Sequence, residues 1–276
     1  MMESGRKLSK LRELSVKKPK ATRIFTVANQ KGGVGKTTTT VNIAAALATK
    51  GLQVLVIDLD PQGNASTALN IEHGFETTSI YEVLTKRVPL NQVVAQSPDY
   101  ENLFVAPATI RLASADMDLA SSTGREYKLK KALTGYLEAN PFDYVFIDCP
   151  PSLGLLTVNA FAAATEVMIP IQCEYYALEG LSQLLGIIEL IQEDVNPELK
   201  ISTFLMTMFD GRTRLASQVV DDVRANFPKI TLNTVIPRSV RVSEAPGFGQ
   251  TILSYDPSSP GALAYLEAAI ELANRK

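Results

Sequence analysis

The sequence predicts an α/β fold, a doubly wound and mainly parallel sheet flanked by helices, on three observations. Short apolar runs alternate with helix-length segments along almost the whole chain. A glycine-rich loop, Asn29-Gln30-Lys31-Gly32-Gly33-Val34-Gly35-Lys36-Thr37-Thr38, lies between the first apolar run and the first long helical segment. Two later apolar runs end in carboxylates, at Asp58-Leu59-Asp60 and at Asp148. Strands alternating with helices make parallel sheets whose ligands gather at the strands' C-terminal edge, which is where all three features fall.

At 276 residues, 46% hydrophobic and 20% charged, the chain has the size and composition of one large globular α/β domain. Residues 21–276 contain no linker-like block and read as that single domain. Residues 1–20 differ: seven basic residues against two acidic ones give a net charge of +5, which leaves the remaining 256 residues at −7. Leu8, Leu11 and Leu14 share a helical spacing there, so a basic helix could form on DNA, a membrane or a partner, but a disordered, solvated arm is the expectation. The overall charge of −2 excludes a protein wrapped in nucleic acid, so any DNA contact by the body must come from a local patch. No apolar stretch is long enough to span a bilayer and no leader-like segment opens the chain, which points to the cytoplasm. Cys149 and Cys173 fit a reducing compartment and form no C-x-x-C pair for zinc or an iron–sulfur cluster.

Taken in order, Ile24 to Ala28 reads as a buried strand and Lys36 to Leu47 as the helix after the loop. The small residues Gly32, Gly33 and Gly35 let backbone N–H groups turn onto an anion, while Lys36 reaches terminal phosphates and the Thr37 hydroxyl suits Mg²⁺. Val54 to Ile57 is a second strand; its terminal Asp58 and Asp60, at i and i+2, lie on one side and call for a cation or a water. Between 71 and 124 the pattern is least informative, with a short helix at 79–84, a strand at 103–106 and a helix at 110–122. His73, the only histidine, lacks ligand partners at useful spacing and takes no role. A helix at 125–139 precedes the strand Val145-Phe146-Ile147, whose closing carboxylate, Asp148, suits Mg²⁺ held through water; Pro150-Pro151 then breaks the chain before a new helix. Strands at 167–171 and 201–208 follow, with helices running to about Glu193 and Asn226. A final helix extends through Arg275, with Leu263, Leu266 and Ile270 facing the core and Glu267 and Glu271 on the other face.

With Gln30 at the first glycine position and a second lysine at 31, the loop resembles the deviant Walker loop of the ParA/MinD family of P-loop NTPases. The stretches Cys173 to Leu185 and Val235 to Pro246 narrow the resemblance to ParA/Soj-type chromosome-partitioning ATPases, over about residues 23–274. The resemblance implies ATP and Mg²⁺ as cofactors, bound by Lys31, Gly32, Gly33, Val34, Gly35, Lys36, Thr37 and Thr38. It implies that Lys31 contacts nucleotide across a dimer interface, that Asp60 orients the attacking water with Lys31 and Lys36 as its catalytic companions, and that Thr37, Asp58 and Asp148 serve the metal. The base is expected against Met208, Pro237 and Arg238, and DNA against Arg212 and Arg241; taken alone, two arginines so far apart in sequence would read as solvated charges. The implied cycle is an ATP-dependent homodimer that binds double-stranded DNA without sequence preference, in the cytoplasm on the nucleoid. A ParB-like partner releases it by stimulating an otherwise slow hydrolysis. An acidic last helix disfavours stable membrane association of the MinD kind, and the missing cysteine pair disfavours an iron–sulfur carrier. A sister ATPase that positions a plasmid or protein cargo is the remaining alternative.

Overall fold

The computed structural model describes residues 2–175 and 177–275; Tyr176, within one of the stretches that carry the resemblance, and the two end residues lie outside the described set. Eight strands form one sheet in the order β3-β4-β2-β5-β1-β6-β7-β8. They are β1 Arg23–Val27, β2 Val54–Asp58, β3 Ala95–Gln96, β4 Leu103–Ala106, β5 Tyr144–Asp148, β6 Glu166–Gln172, β7 Lys200–Phe209 and β8 Thr231–Pro237. Every pairing is parallel except β3 with β4, a two-residue antiparallel edge with too little pattern to be visible in the sequence.

β2 and β5 are buried along their whole length because helices cover both faces. Alternate side chains of β5 serve opposite layers. Tyr144 and Phe146 stack with Phe25 beneath α2 (Lys36–Ala48) and α12 (Pro260–Asn274). Val145 and Ile147 face α4 (Ile80–Lys86), α6 (Lys128–Ala139) and α7 (Leu155–Ala163). Helices α8 (Ala177–Asp194) and α9 (Arg214–Asn226) cover the far end of the sheet. The helix expected at 110–122 is instead a 3₁₀ turn, Ile110–Ser114, followed by the short α5, Ala115–Leu119.

The N-terminal segment departs from expectation. Residues Met2–Glu13 form α1, which lies against α12 instead of remaining a disordered arm. The cause is the leucine spacing together with charges at the far end of the chain. Leu11 is buried, Leu8 and Val16 pack partly against the same core, and Lys7 pairs with Glu267 of α12 at 2.8 Å. The last carbonyls of α1 need donors, and Lys50 Nζ donates to those of Leu11 and Arg12 and to that of Leu14 just beyond the helix. The acidic residues of α12 are likewise occupied: the Glu271 carboxylate accepts from the backbone N–H groups of Asn233 and Thr234 on β8 and from Arg275. Among the described residues no helix is long and apolar enough to cross a membrane.

Candidate active site

The ends of β1, β5 and β2 stand side by side, with Val27, Asp148 and Asp58 as register partners. The loop after β1 folds over that edge. Gly33 and Gly35 hold φ of 73° and 88°, a left-handed conformation that side chains resist, so the turn requires glycine at both. Gly35 precedes α2 without a side-chain cap, leaving the helix's first N–H groups free to meet an anion. Thr207 Oγ1 donates to Val34 O at 2.9 Å and Asn29 Nδ2 to Pro170 O at 2.8 Å, fixing the loop against β7 and β6.

Lys36 is buried, its Nζ turned back toward Lys31 O at 3.4 Å. Desolvation lowers its pKa, while nearby Asp148, Cys149 and Asp60 push the other way. Lys31 points outward and pairs with Glu174 at 3.1 Å.

Asp148 is fully buried and accepts from Thr37 Oγ1 at 2.6 Å and Thr40 Oγ1 at 3.0 Å. Burial first, then the neighbouring Asp58, raises its carboxyl to about 8. Asp58 is raised to about 6, again by burial above all, but its oxygens are already engaged. Oδ2 accepts from Ser66 N and Oγ, and Oδ1 from the Asp60 N–H. Asp58 thus pins the turn carrying Asp60, with three donors on its two oxygens. Asp60 sits just beyond the strand end, almost buried. Among the described residues no three His, Cys, Asp or Glu side chains form a metal cage. The donor set at Thr37 and Asp148, a hydroxyl over a carboxylate short of positive partners, fits Mg²⁺ completed by water and phosphate oxygens.

A cavity of about 490 Å³ opens beside the loop. Its walls bring together Gly33, Gly35 and Thr38 with Met208, Pro237 and Arg238, residues some two hundred positions apart. Met208 adopts φ of 53°, a strained conformation for a non-glycine residue, at the lip of this cavity. Arg212 and Arg241 follow the C-terminal ends of the adjacent strands β7 and β8 and are largely exposed, at 87% and 60%. The Arg212 guanidinium is closed on Asp210 at 2.8 and 2.7 Å, while Arg241 lies 3.9 Å from Asp256. Thr40, Ser66, Thr207 and Glu174 are the members of this site that the sequence did not single out.

The family model described as an AAA domain matches residues 22–201. The sporulation initiation inhibitor protein Soj of Bacillus subtilis is 49% identical over 91% of this chain and 98% of its own length. The chromosome partitioning protein ParA of Myxococcus xanthus is 48% identical over 92% and 88%. Among solved structures, a Mycobacterium smegmatis protein named cobyrinic acid a,c-diamide synthase, with bound ATP analogue and magnesium, superposes with a TM-score of 0.77 at 40% identity, covering 90% of this chain and 93% of that one. The septum site-determining protein MinD of Pyrococcus horikoshii, complexed with Mg-ADP, gives 0.72 at 25% identity, over 90% and 94%. With a phosphate loop, two strand-end carboxylates and a base-sized cavity on one sheet edge, and with relatives of this similarity along nearly the full chain, the protein belongs to the ParA/Soj family of chromosome-partitioning P-loop ATPases.

Proposed function

We propose that the chain is an ATP-gated DNA clamp that partitions DNA. The observation that carries this reading is the convergence of Lys36, Thr37, Asp148 and Asp60 on one edge of the sheet, beside a cavity large enough for a base. Lys36 and the N-terminus of α2 take the phosphates, Met208, Pro237 and Arg238 border the base, and Thr37 with Asp148 holds Mg²⁺. The bound metal supplies charge neutralisation at the β- and γ-phosphate oxygens. Asp60, held in place by Asp58 and Ser66, orients the water that attacks the γ-phosphate.

Lys31 serves a second protomer. Its pair with Glu174 is exposed and worth at most about 1 kcal/mol, so a triphosphate on a facing subunit outbids it readily. Dimerisation on that basis depends on ATP. Arg241 and Arg212 then act in two copies each. If each protomer neutralises roughly 3 phosphates, the dimer neutralises roughly 6, and log affinity falls against log salt with a slope near −5. Without an arginine finger in place, hydrolysis is slow until a ParB-like partner accelerates it, and the protein works on the nucleoid.

The test is binding to a random-sequence duplex with ATP, ADP or no nucleotide, in the Asp60→Ala protein and at several salt concentrations. Binding confined to ATP, steeply salt-dependent and lost in the added Arg241→Ala change, supports the clamp. Equal binding in every state assigns the contact to the basic N-terminal segment and overturns the gating.

A further inference from the structure

A larger cavity, about 630 Å³, lies away from the nucleotide edge, between the end of α4 with the loop after it and the outer side of α6. Its volume is within the roughly 300–1,000 Å³ range of small-molecule sites. The walls are mainly apolar, with Val88 and Leu90 from the loop facing Tyr136 of α6. The charge around it is one-sided. Among the described residues, Arg87, Lys128 and Lys131 border the cavity, no aspartate or glutamate does, and none of the three cations makes an ion pair. That is unusual in a body whose net charge is −7.

Two features of the backbone belong to the same place. Arg87 closes α4 with φ of 58°, a left-handed cap position that glycine fills at lower cost. The strained turn thus holds an arginine, not a glycine, on the cavity wall. Gly135 sits inside α6, where glycine costs about 1 kcal/mol relative to alanine. A Cβ at Gly135 would meet nothing within 4 Å, so no packing neighbour demands the glycine; what its missing side chain preserves is the open space of the cavity. Desolvation raises the Tyr136 pKa, keeping its hydroxyl a neutral donor.

We propose that this cavity is a second ligand site, which takes a small organic anion: an apolar aliphatic or aromatic body seated against α6, with its carboxylate, sulfonate or phosphate among Arg87, Lys128 and Lys131. A cation or a basic peptide would meet three uncompensated positive charges and is refused.

The probe is 1-anilinonaphthalene-8-sulfonate, titrated by fluorescence with Mg-ADP saturating the nucleotide site. The expected result is one saturable site. Gly135→Leu, which fills the cavity and favours the helix, weakens the affinity at least tenfold, while Gly135→Ala leaves a measurable site. Arg87→Gln and Lys131→Gln each weaken it severalfold, and the uncharged analogue N-phenyl-1-naphthylamine binds at least tenfold more weakly. Displacement by laurate or by indole-3-acetate distinguishes an aliphatic from an aromatic natural ligand. The proposal is overturned if Gly135→Leu binds the sulfonate like the parent protein, if the neutral analogue binds equally well, or if neither acid displaces the probe.

Discussion

Replacing Asp148 with asparagine should stabilise the nucleotide-free protein while abolishing ATP turnover. The Asp148 carboxyl is fully buried beside Asp58 and raised from 3.8 to about 8. Between those values the folded protein holds a proton that the unfolded chain releases. The folded state therefore binds more protons, and stability falls as pH rises from about 4 through about 8. Each pH unit in that window costs about 1.4 kcal/mol, so at pH 7 the penalty has an upper bound of about 4 kcal/mol. Asparagine, like the protonated acid, offers one acceptor oxygen to Thr37 or Thr40 and one donor, so it weakens at most one neutral hydrogen bond, worth about 1 kcal/mol. The net gain is therefore about 3 kcal/mol at pH 7, rises toward pH 8, and turns into a loss of about 1 kcal/mol near pH 4, where only the weakened hydrogen bond remains. Urea denaturation in EDTA at pH 5, 7 and 8.5 measures it. A variant with the parent's pH slope, or less stable than the parent at every pH, refutes the idea that the site stores carboxylate repulsion for a metal to relieve.

Lys36→Ala removes the buried ammonium proposed to meet the phosphates, and an ATP-dependent dimer should vanish on gel filtration; a dimer that survives rejects the assignment. Asp60→Ala should still bind ATP and DNA but turn over at least a hundredfold more slowly in a phosphate-release assay, since the Asp58 carboxylate, itself held by Ser66, still accepts from the backbone N–H at position 60. Leu11→Ala, on the buried face of α1, should cost about 2 kcal/mol in a denaturant melt. If the variant melts unchanged, α1 contributes nothing to the folded core.

The phosphate loop was legible because its signal is local: glycines at positive φ and a lysine–threonine pair within one turn. Asp60 and Asp148 were legible for the same reason, as carboxylates closing apolar strands. What escaped is what the chain assembles from a distance. Thr40 and Thr207 look like ordinary helix and strand residues, yet one meets Asp148 across 108 positions and the other meets Val34 across 173. Ser66 hides a similar role only eight residues from Asp58, because a serine in a short helix carries no pattern of its own. The i, i+2 spacing of Asp58 and Asp60 put both carboxylates at the strand end, but spacing cannot show that Ser66 and the Asp60 N–H would meet the Asp58 oxygens. The N-terminal segment misled through composition: seven basic residues suggested a solvated arm, and the leucine face counted for little without its partner helix in view.

That partner helix gives α1 a place in time as well as in space. Lys7 and Leu11 are synthesised some 260 positions before Glu267 on α12 (267 less 7). At roughly 5–20 residues per second, tens of seconds separate them. Throughout that interval α1 lacks the α12 surface against which it lies in the folded chain. The clasp between α1 and α12 therefore closes only after α12 has been made, long after α1.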